Sequence, residues 1–165
     1  MRCISLWQPW ATLVAIGAKH VETRHWSTNY TGPLLIHASR HWDRGLNGMC
    51  SDTLFYEVLQ PHYPQVRCLG DPDYRRVLHF GAVIGVCRLV RCHRVEDLEF
   101  IGRDGAAVLT PDERAFGDFS PGRFGWLLSD PMLFDLPFPF RGHQSFFDVP
   151  DQFVEGKLHS WLKGA

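Results

Sequence analysis

The run Gly81–Arg94, GAVIGVCRLVRCHR, constrains the fold more than any other stretch of this chain. It is the longest strand candidate. Its Val, Ile and Leu residues give way to Arg88, Arg91 and Arg94, and Gly85 inside it predicts a bulge or a close backbone approach. Around it lie shorter apolar runs bounded by Gly, Pro, Asp and Ser. Arg2–Leu6 reads as a strand, Lys19–Trp26 has strand composition, and Leu34-Leu35-Ile36 starts a largely buried strand after the Gly32-Pro33 turn. Arg123–Leu128 forms another, Leu133–Phe140 with its two prolines reads as an edge, and Gln144–Val149 follows the Arg141-Gly142-His143 turn. About six short strands with helices between them fit an α+β chain built on a small β-barrel with peripheral helices.

The helices carry their own signals. Gln8-Pro9 opens one in which Trp10, Leu13 and Val14 share a face, and Gly17 stops it. Ser51 or Asp52 caps a second, with a stripe of Leu54, Phe55, Val58 and Leu59. Tyr74–Phe80 forms a further turn of helix, Pro61–Pro72 is loop, and Val95–Glu99 is a short turn. Thr110-Pro111-Asp112-Glu113 is a helix start, and Asp151 caps a last helix with Phe153, Val154, Leu158, Trp161 and Leu162 on one face. At 165 residues the chain is expected to be a single domain. Residues 41–80 are read as a helical and loop insertion that decorates the core.

Net charge is −1, which excludes a uniformly basic nucleic-acid binder. The charge is unevenly spread: residues 1–94 hold 11 Lys/Arg against 6 Asp/Glu, and residues 95–165 hold 6 against 12. Such a chain either presents one positive face or pairs its two halves. Arginine supplies 14 of the 17 basic residues, and it suits bidentate contacts to phosphates and bases. The start MRCISLWQPW lacks a signal peptide's basic flank and long apolar segment, and no apolar run reaches membrane-spanning length. The expectation is a soluble, cytoplasmic protein with no membrane partner, monomeric by default. Five irregularly spaced cysteines are read as reduced thiols, several of them buried. Cys87, Cys92 and His93 form the sole local cluster, and neither a metal nor another cofactor is expected.

Chemistry concentrates in Ile16–Ser39, IGAKHVETRHWSTNYTGPLLIHAS. Lys19, Glu22 and Arg24 follow a helix end, where the chain changes direction. Regular alternation puts Glu22 and Arg24 on one strand face, and Lys19 joins them only if the backbone bends near Ala18–His20. His37 and Ser39 share a face at the exit of the next strand, His37 either as a core residue or as a site residue. Trp7 is either a staple onto the first helix or an exposed stacking surface.

These residues resemble a known family. The opening I-S-L-W-Q-P-W-A and then G-A-K-H-V-E-T-R-H-W are similar to the ASCH domains of the PUA-like superfamily, whose G-x-K-x-x-E-x-R motif falls on Gly17, Lys19, Glu22 and Arg24. Y-T-G-P-L-L-I-H-A-S at Tyr30–Ser39, G-R-F-G-W-L-L at Gly122–Leu128 and R-G-H-Q-S-F-F at Arg141–Phe147 extend the likeness over most of the chain outside residues 41–80. The resemblance implies a PUA-like pseudo-barrel with a cleft between the first helix and the sheet, lined by Lys19, Glu22 and Arg24, and RNA or DNA as partner. One branch of the family is an amidohydrolase acting on acylated cytidine through a Lys and a Thr three residues apart. Here the residue three after Lys19 is Glu22, and Thr23 is one place late, which argues against acyl transfer through threonine.

The expected function is therefore nucleic-acid binding, to a modified or single-stranded base. Lys19, Arg24, Arg123 and the Arg88/Arg91/Arg94 strand end meet phosphates, Trp7, Trp10 or Trp26 stacks on a base, Glu22 accepts from an exocyclic amine, and His37 and Ser39 form the far edge. A small metal-independent hydrolase, amidohydrolase or ribonuclease, with Lys19 and Glu22 as catalytic candidates, is the alternative. A protein-interaction module is a third. A local ion-pair network among Lys19, Glu22 and Arg24 that merely fixes the bend is compatible with each.

Overall fold

Strand β4, Ala82–Arg94, is the spine of a six-stranded sheet ordered β2-β5-β4-β3-β1-β6. The computed structural model describes residues 1–66, 74–101 and 109–164. In chain order the elements are β1 (Arg2–Leu6), α1 (Trp10–Ala15), β2 (Val21–Arg24), β3 (Gly32–Ala38), α2 (Arg44–Cys50), α3 (Thr53–Leu59) and α4 (Tyr74–Val77). Then come β4, α5 (Val95–Ile101), α6 (Pro111–Ala115), β5 (Phe124–Pro139), β6 (Phe146–Asp148), a 3-10 turn (Asp151–Phe153) and α7 (Glu155–Gly164). Parallel pairing of β1 with β3 needs a crossover, which α1 and β2 supply, and the other neighbouring strands pair antiparallel.

β4 sits between two strands, and its register slips three times against β5. The first slip is at Gly85, where a Cβ would lie 2.5 Å from the Met132 carbonyl oxygen and 2.9 Å from Ala15 Cβ. The expected bulge and close approach are therefore the same feature: α1 rests directly on the sheet there. β5 corrects the sequence reading of two strands at Arg123–Leu128 and Leu133–Phe140, because Phe124–Pro139 is one strand. Ser129-Asp130-Pro131 looks like a break, yet it is a bulge opposite Cys87 with Asp130 at φ +50°.

Alternation of side chains splits the sheet's apolar residues into two layers. Ile4, Leu6, Leu34, Ile36, Ile84, Leu89 and Trp126 form the inner core with Val14 of α1. Cys3, Leu35, Val83, Val86, Phe134 and Phe147 form the outer one, covered by Leu158 and Trp161 of α7. Leu34, Leu35 and Ile36 of β3 are apolar in succession because both faces of the strand are buried there.

The expected barrel is not closed by backbone pairing, since the end strands β2 and β6 are not hydrogen-bonded neighbours. Rings close the gap instead. Trp26, just past β2, meets Trp126 and Phe146 edge-on at 4.6 and 5.2 Å between centroids. Phe146 also stacks on Trp126 at 5.1 Å and lies edge-on to Tyr30 at 5.5 Å.

The peripheral elements hold further differences. α2 is absent from the sequence reading because Gly45 and Gly48 lower its propensity; the Asp43 side chain, accepting from the Leu46 N–H at 2.9 Å, starts it. Asp52 caps α3 as expected. Val95–Ile101 is a helix rather than a turn. The Asp151 carboxylate binds the N-terminal ammonium at 3.0 Å instead of capping α7, and Leu162 on that helix is exposed. Leu13 of α1, Cys50, Phe55, Leu59, Tyr63, Tyr74 and Phe116 make a third apolar cluster, which fastens the 41–80 segment to α1. The rest of the expected Pro61–Pro72 loop past Val66, and Cys68, lie outside the described residues. Among the described residues no helix is long and apolar enough to cross a membrane.

Candidate functional site

α1 ends at Gly17, φ +80°, and the N–H groups of Ala18 and Lys19 both donate to the Leu13 carbonyl. This is the bend that the charge cluster requires, but it sends Lys19 elsewhere. Lys19 is 2 % exposed, and its ammonium donates to the Val21 carbonyl at 2.5 Å and to Glu113 Oε1 at 3.2 Å. Glu113, also buried, accepts from the His20 and Val21 backbone N–H groups at 2.7 and 3.1 Å. A single carboxylate of α6 thus ties the whole Lys19–Val21 turn to the far half of the chain.

Glu22 and Arg24 do share a face of β2, with Arg24 Nε 3.1 Å from Glu22 Oε1. Arg24 reaches on to donate to the Ser5 carbonyl at 3.0 Å. The expected three-charge cluster therefore divides into a buried pair, Lys19–Glu113, and a half-buried pair, Glu22–Arg24. Glu113 is the functional-region residue that sequence reasoning missed. It was visible only as part of a helix start: Thr110 Oγ1 does accept from the Glu113 N–H, at 3.1 Å.

Two adjoining cavities meet at Arg24, and its partner Glu22 lines the first. The first, about 630 Å³, brings together Trp7, Trp10, Glu22, Arg24 and Arg123, with Lys19 also on its wall. Trp10 is fixed by its indole N–H donating to the Phe116 carbonyl at 2.7 Å. Arg123 donates to the Thr23 carbonyl at 3.1 Å and pairs with Asp118 at 3.3 Å. Hydrogen bonds from Ser120 hold the Asp118 carboxyl below its usual range, so it is the charged partner of Arg123. Met49 and Phe55 from the 41–80 segment complete this cavity.

The second cavity, about 740 Å³, holds Trp26, His37 and Ser39 and shares Ser5, Trp7 and Arg24 with the first. Trp7 is 51 % exposed and leans on His41 with 4.1 Å between ring centroids. Its indole is therefore exposed and not buried against α1, whereas Trp26 is largely committed to the aromatic seam. His37 is buried, its Nδ1 3.0 Å from Ser5 Oγ and its Nε2 3.0 Å from the Phe140 carbonyl oxygen. The carbonyl fixes Nε2 as the donor and leaves Nδ1 to accept from the Ser5 hydroxyl. Burial lowers its pKa, so the neutral ring is the resting form. Ser39 Oγ accepts from the His41 N–H.

Arg88, Arg91 and Arg94 line neither cavity. Arg88 pairs with Asp130 and lies over Trp161, and Arg94 lies over Phe124. The buried thiols offer no nucleophile either: burial pushes Cys50 and Cys87 up to about 12. Among the described residues no group of three or more His, Cys, Asp or Glu is arranged to hold a metal ion.

The sequence model of the ASCH domain matches residues 4–115, from β1 through the G-x-K-x-x-E-x-R motif to α6 with Glu113. The chain belongs to the ASCH domain family. Mouse activating signal cointegrator 1 is 24 % identical over 161 residues, which cover 98 % of this ASCH domain and 24 % of the mouse protein. The chain thus spans about a quarter of the curated relative it matches. Two solved structures share its fold. The ASCH protein of Zymomonas mobilis is 19 % identical, with 93 % of this chain and 90 % of that one covered at a TM-score of 0.50. A point mutant of the same protein is 16 % identical, with 94 % of each chain covered and a TM-score of 0.50. The ASCH domain accordingly has the PUA-like fold, with the sheet seam closed by aromatic rings.

Proposed function

We propose that this ASCH domain binds RNA or DNA by seating one unstacked base in the cavity between Trp7, Trp10 and the Glu22–Arg24 pair. The observation that carries this reading is the position of Trp7. It is a half-exposed indole that lines both cavities, leans on His41 and shares the first cavity with the Glu22–Arg24 pair. An aromatic face takes any unpaired base, and a neighbouring carboxylate and guanidinium select among base edges by accepting from amino groups and donating to ring nitrogens and carbonyls. Arg123, already oriented by Thr23 and Asp118, also lines this cavity and is available to a sugar or phosphate.

Hydrolysis in the same cavity has less in its favour. Lys19 is engaged by Glu113 and Val21, and the Glu22 carboxylate is taken up in an ion pair with Arg24. The test is fluorescence anisotropy with single-stranded oligonucleotides of mixed sequence at several salt concentrations. Trp7→Ala is expected to weaken binding by about 1–3 kcal/mol, the worth of one stacked base, and Glu22→Gln to change base preference. Equal affinity for wild type and Trp7→Ala would overturn the reading, and steady loss of full-length oligonucleotide would favour the hydrolase.

A further inference from the structure

The second cavity differs from the first in charge. The first carries Glu22 and Asp118 among its cations, whereas the second is lined by Arg24, Arg40, His25 and His143 with no carboxylate among the described residues. Arg40 is the telling side chain. It lies across Gly81, at φ +62°, where a Cβ would come within 2.6 Å of its Nε. The stem is therefore laid against the backbone, yet the guanidinium has no hydrogen bond or ion pair among the described residues. An arginine laid along Gly81 with its donors unspent, on a cavity whose lining holds no carboxylate, suits a phosphate, two of whose oxygens a guanidinium can meet with parallel hydrogen bonds.

The cavity is also built rather than incidental. Its wall is the Gly142–Ser145 loop, anchored beside His37, which bridges Ser5 Oγ and the Phe140 carbonyl, and Ser145 is held at φ +59°. His37 is thereby a structural strut with no donor left for a ligand.

We infer that this second cavity is a phosphate subsite, in which Arg40, Arg24 and His143 bind a phosphate of the strand whose base occupies the first cavity. The inference rests on the base-binding reading, because Arg24 and Trp7 belong to both cavities and a strand bound at one must pass them to reach the other. Two phosphates have the required chemistry, the diester linking the next nucleotide and a terminal monoester at a strand end.

The test compares a fluorescent hexanucleotide with a 5′-hydroxyl, the same strand with a 5′-phosphate, and a free nucleoside. Arg40→Ala is expected to weaken hexanucleotide binding roughly tenfold, the scale of one hydrogen bond to a charged group. It should also reduce the slope of log affinity against log salt by about 0.7. Nucleoside binding stays unchanged, and Arg40→Lys retains part of the affinity. An equal loss for both strands assigns the diester, and a loss confined to the phosphorylated strand assigns the terminal group. If Trp7→Ala abolishes binding while Arg40→Ala and His143→Ala leave affinity and salt slope as in wild type, the subsite is refuted and the base site stands. If wild type binds none of the three probes, both fall. Arg40 is exposed, so its variants are expected to fold, and unchanged melting temperatures check this.

Discussion

Replacing Glu113 with alanine probes the feature on which the geometry of the site most depends. Glu113 accepts from Lys19, His20 and Val21, and none of the three has an obvious substitute partner for that contact. Alanine leaves an ammonium that is 2 % exposed with the Val21 carbonyl and the Phe119 ring, 5.6 Å away, and two backbone N–H groups without that acceptor. Breaking a buried ion pair from one side costs about 3–5 kcal/mol. That charge contribution has a ceiling, because an ordinary lysine gives up its proton at pH 7 for about 4–5 kcal/mol. Each orphaned N–H adds about 1–3 kcal/mol unless water reaches it. Solvent entering the alanine cavity relieves some of this, so a net loss of about 4–6 kcal/mol is expected. For a domain of this size the melting temperature then falls by about 8–24 °C. Urea unfolding followed by tryptophan fluorescence gives the free energy. The control is Lys19→Met with Glu113→Gln, which removes both charges while an amide oxygen still accepts from the turn. This double variant is expected to be clearly more stable than Glu113→Ala and to bind oligonucleotides as wild type does. The reasoning is falsified if Glu113→Ala costs less than about 1 kcal/mol, or if the double variant is no more stable than it.

Other outcomes follow from single contacts. Gly85→Ala pushes a methyl into the Met132 carbonyl and Ala15, and calorimetry should show a loss of at least about 1–3 kcal/mol, the usual cost of overpacking. His37 has its pKa lowered by burial, so below the ordinary histidine range the unfolded chain takes up a proton that the folded one resists. Stability is complete above about pH 6.5 and falls as pH drops toward the folded-state pKa, and His37→Gln should flatten that acid limb in pH-dependent urea unfolding. Thr110→Ala removes the cap of α6 and should cost about 1 kcal/mol, with a matching loss of protection for the His20 and Val21 amides in hydrogen exchange.

Local signals in the sequence reached far, and their failures share one cause. β1, α1 and its stop at Gly17, the bulge at Gly85 and the cap at Asp52 all depend on residues within a turn or a strand of one another. Trp7, Glu22 and Arg24 were legible for the same reason, as neighbours along one short stretch. Glu113 was not, because its partners lie more than 90 positions earlier and nothing local to Thr110–Glu113 separates a tie from a helix start. The strand-end arginines illustrate the converse. Their spacing suggested a phosphate-binding row, but Arg88 and Arg94 settle on Trp161 and Phe124, contacts that follow from where β5 and α7 pack. In β5, Asp130-Pro131 carries the composition of a break, and the pairing with β4 on either side carries the strand through it.

The ring contacts that join β2 to β6 have a mechanical consequence. Hydrogen-bonded strands move only in register steps, each of which flips every side chain, whereas indole and phenyl rings meeting edge to face can slide and tilt without a fixed step. Trp26 belongs both to that joint and to the lining of the second cavity. The width of the second cavity is thus governed by a joint that can slide, while the first cavity has in Lys19 a wall residue fixed by its tie to Glu113.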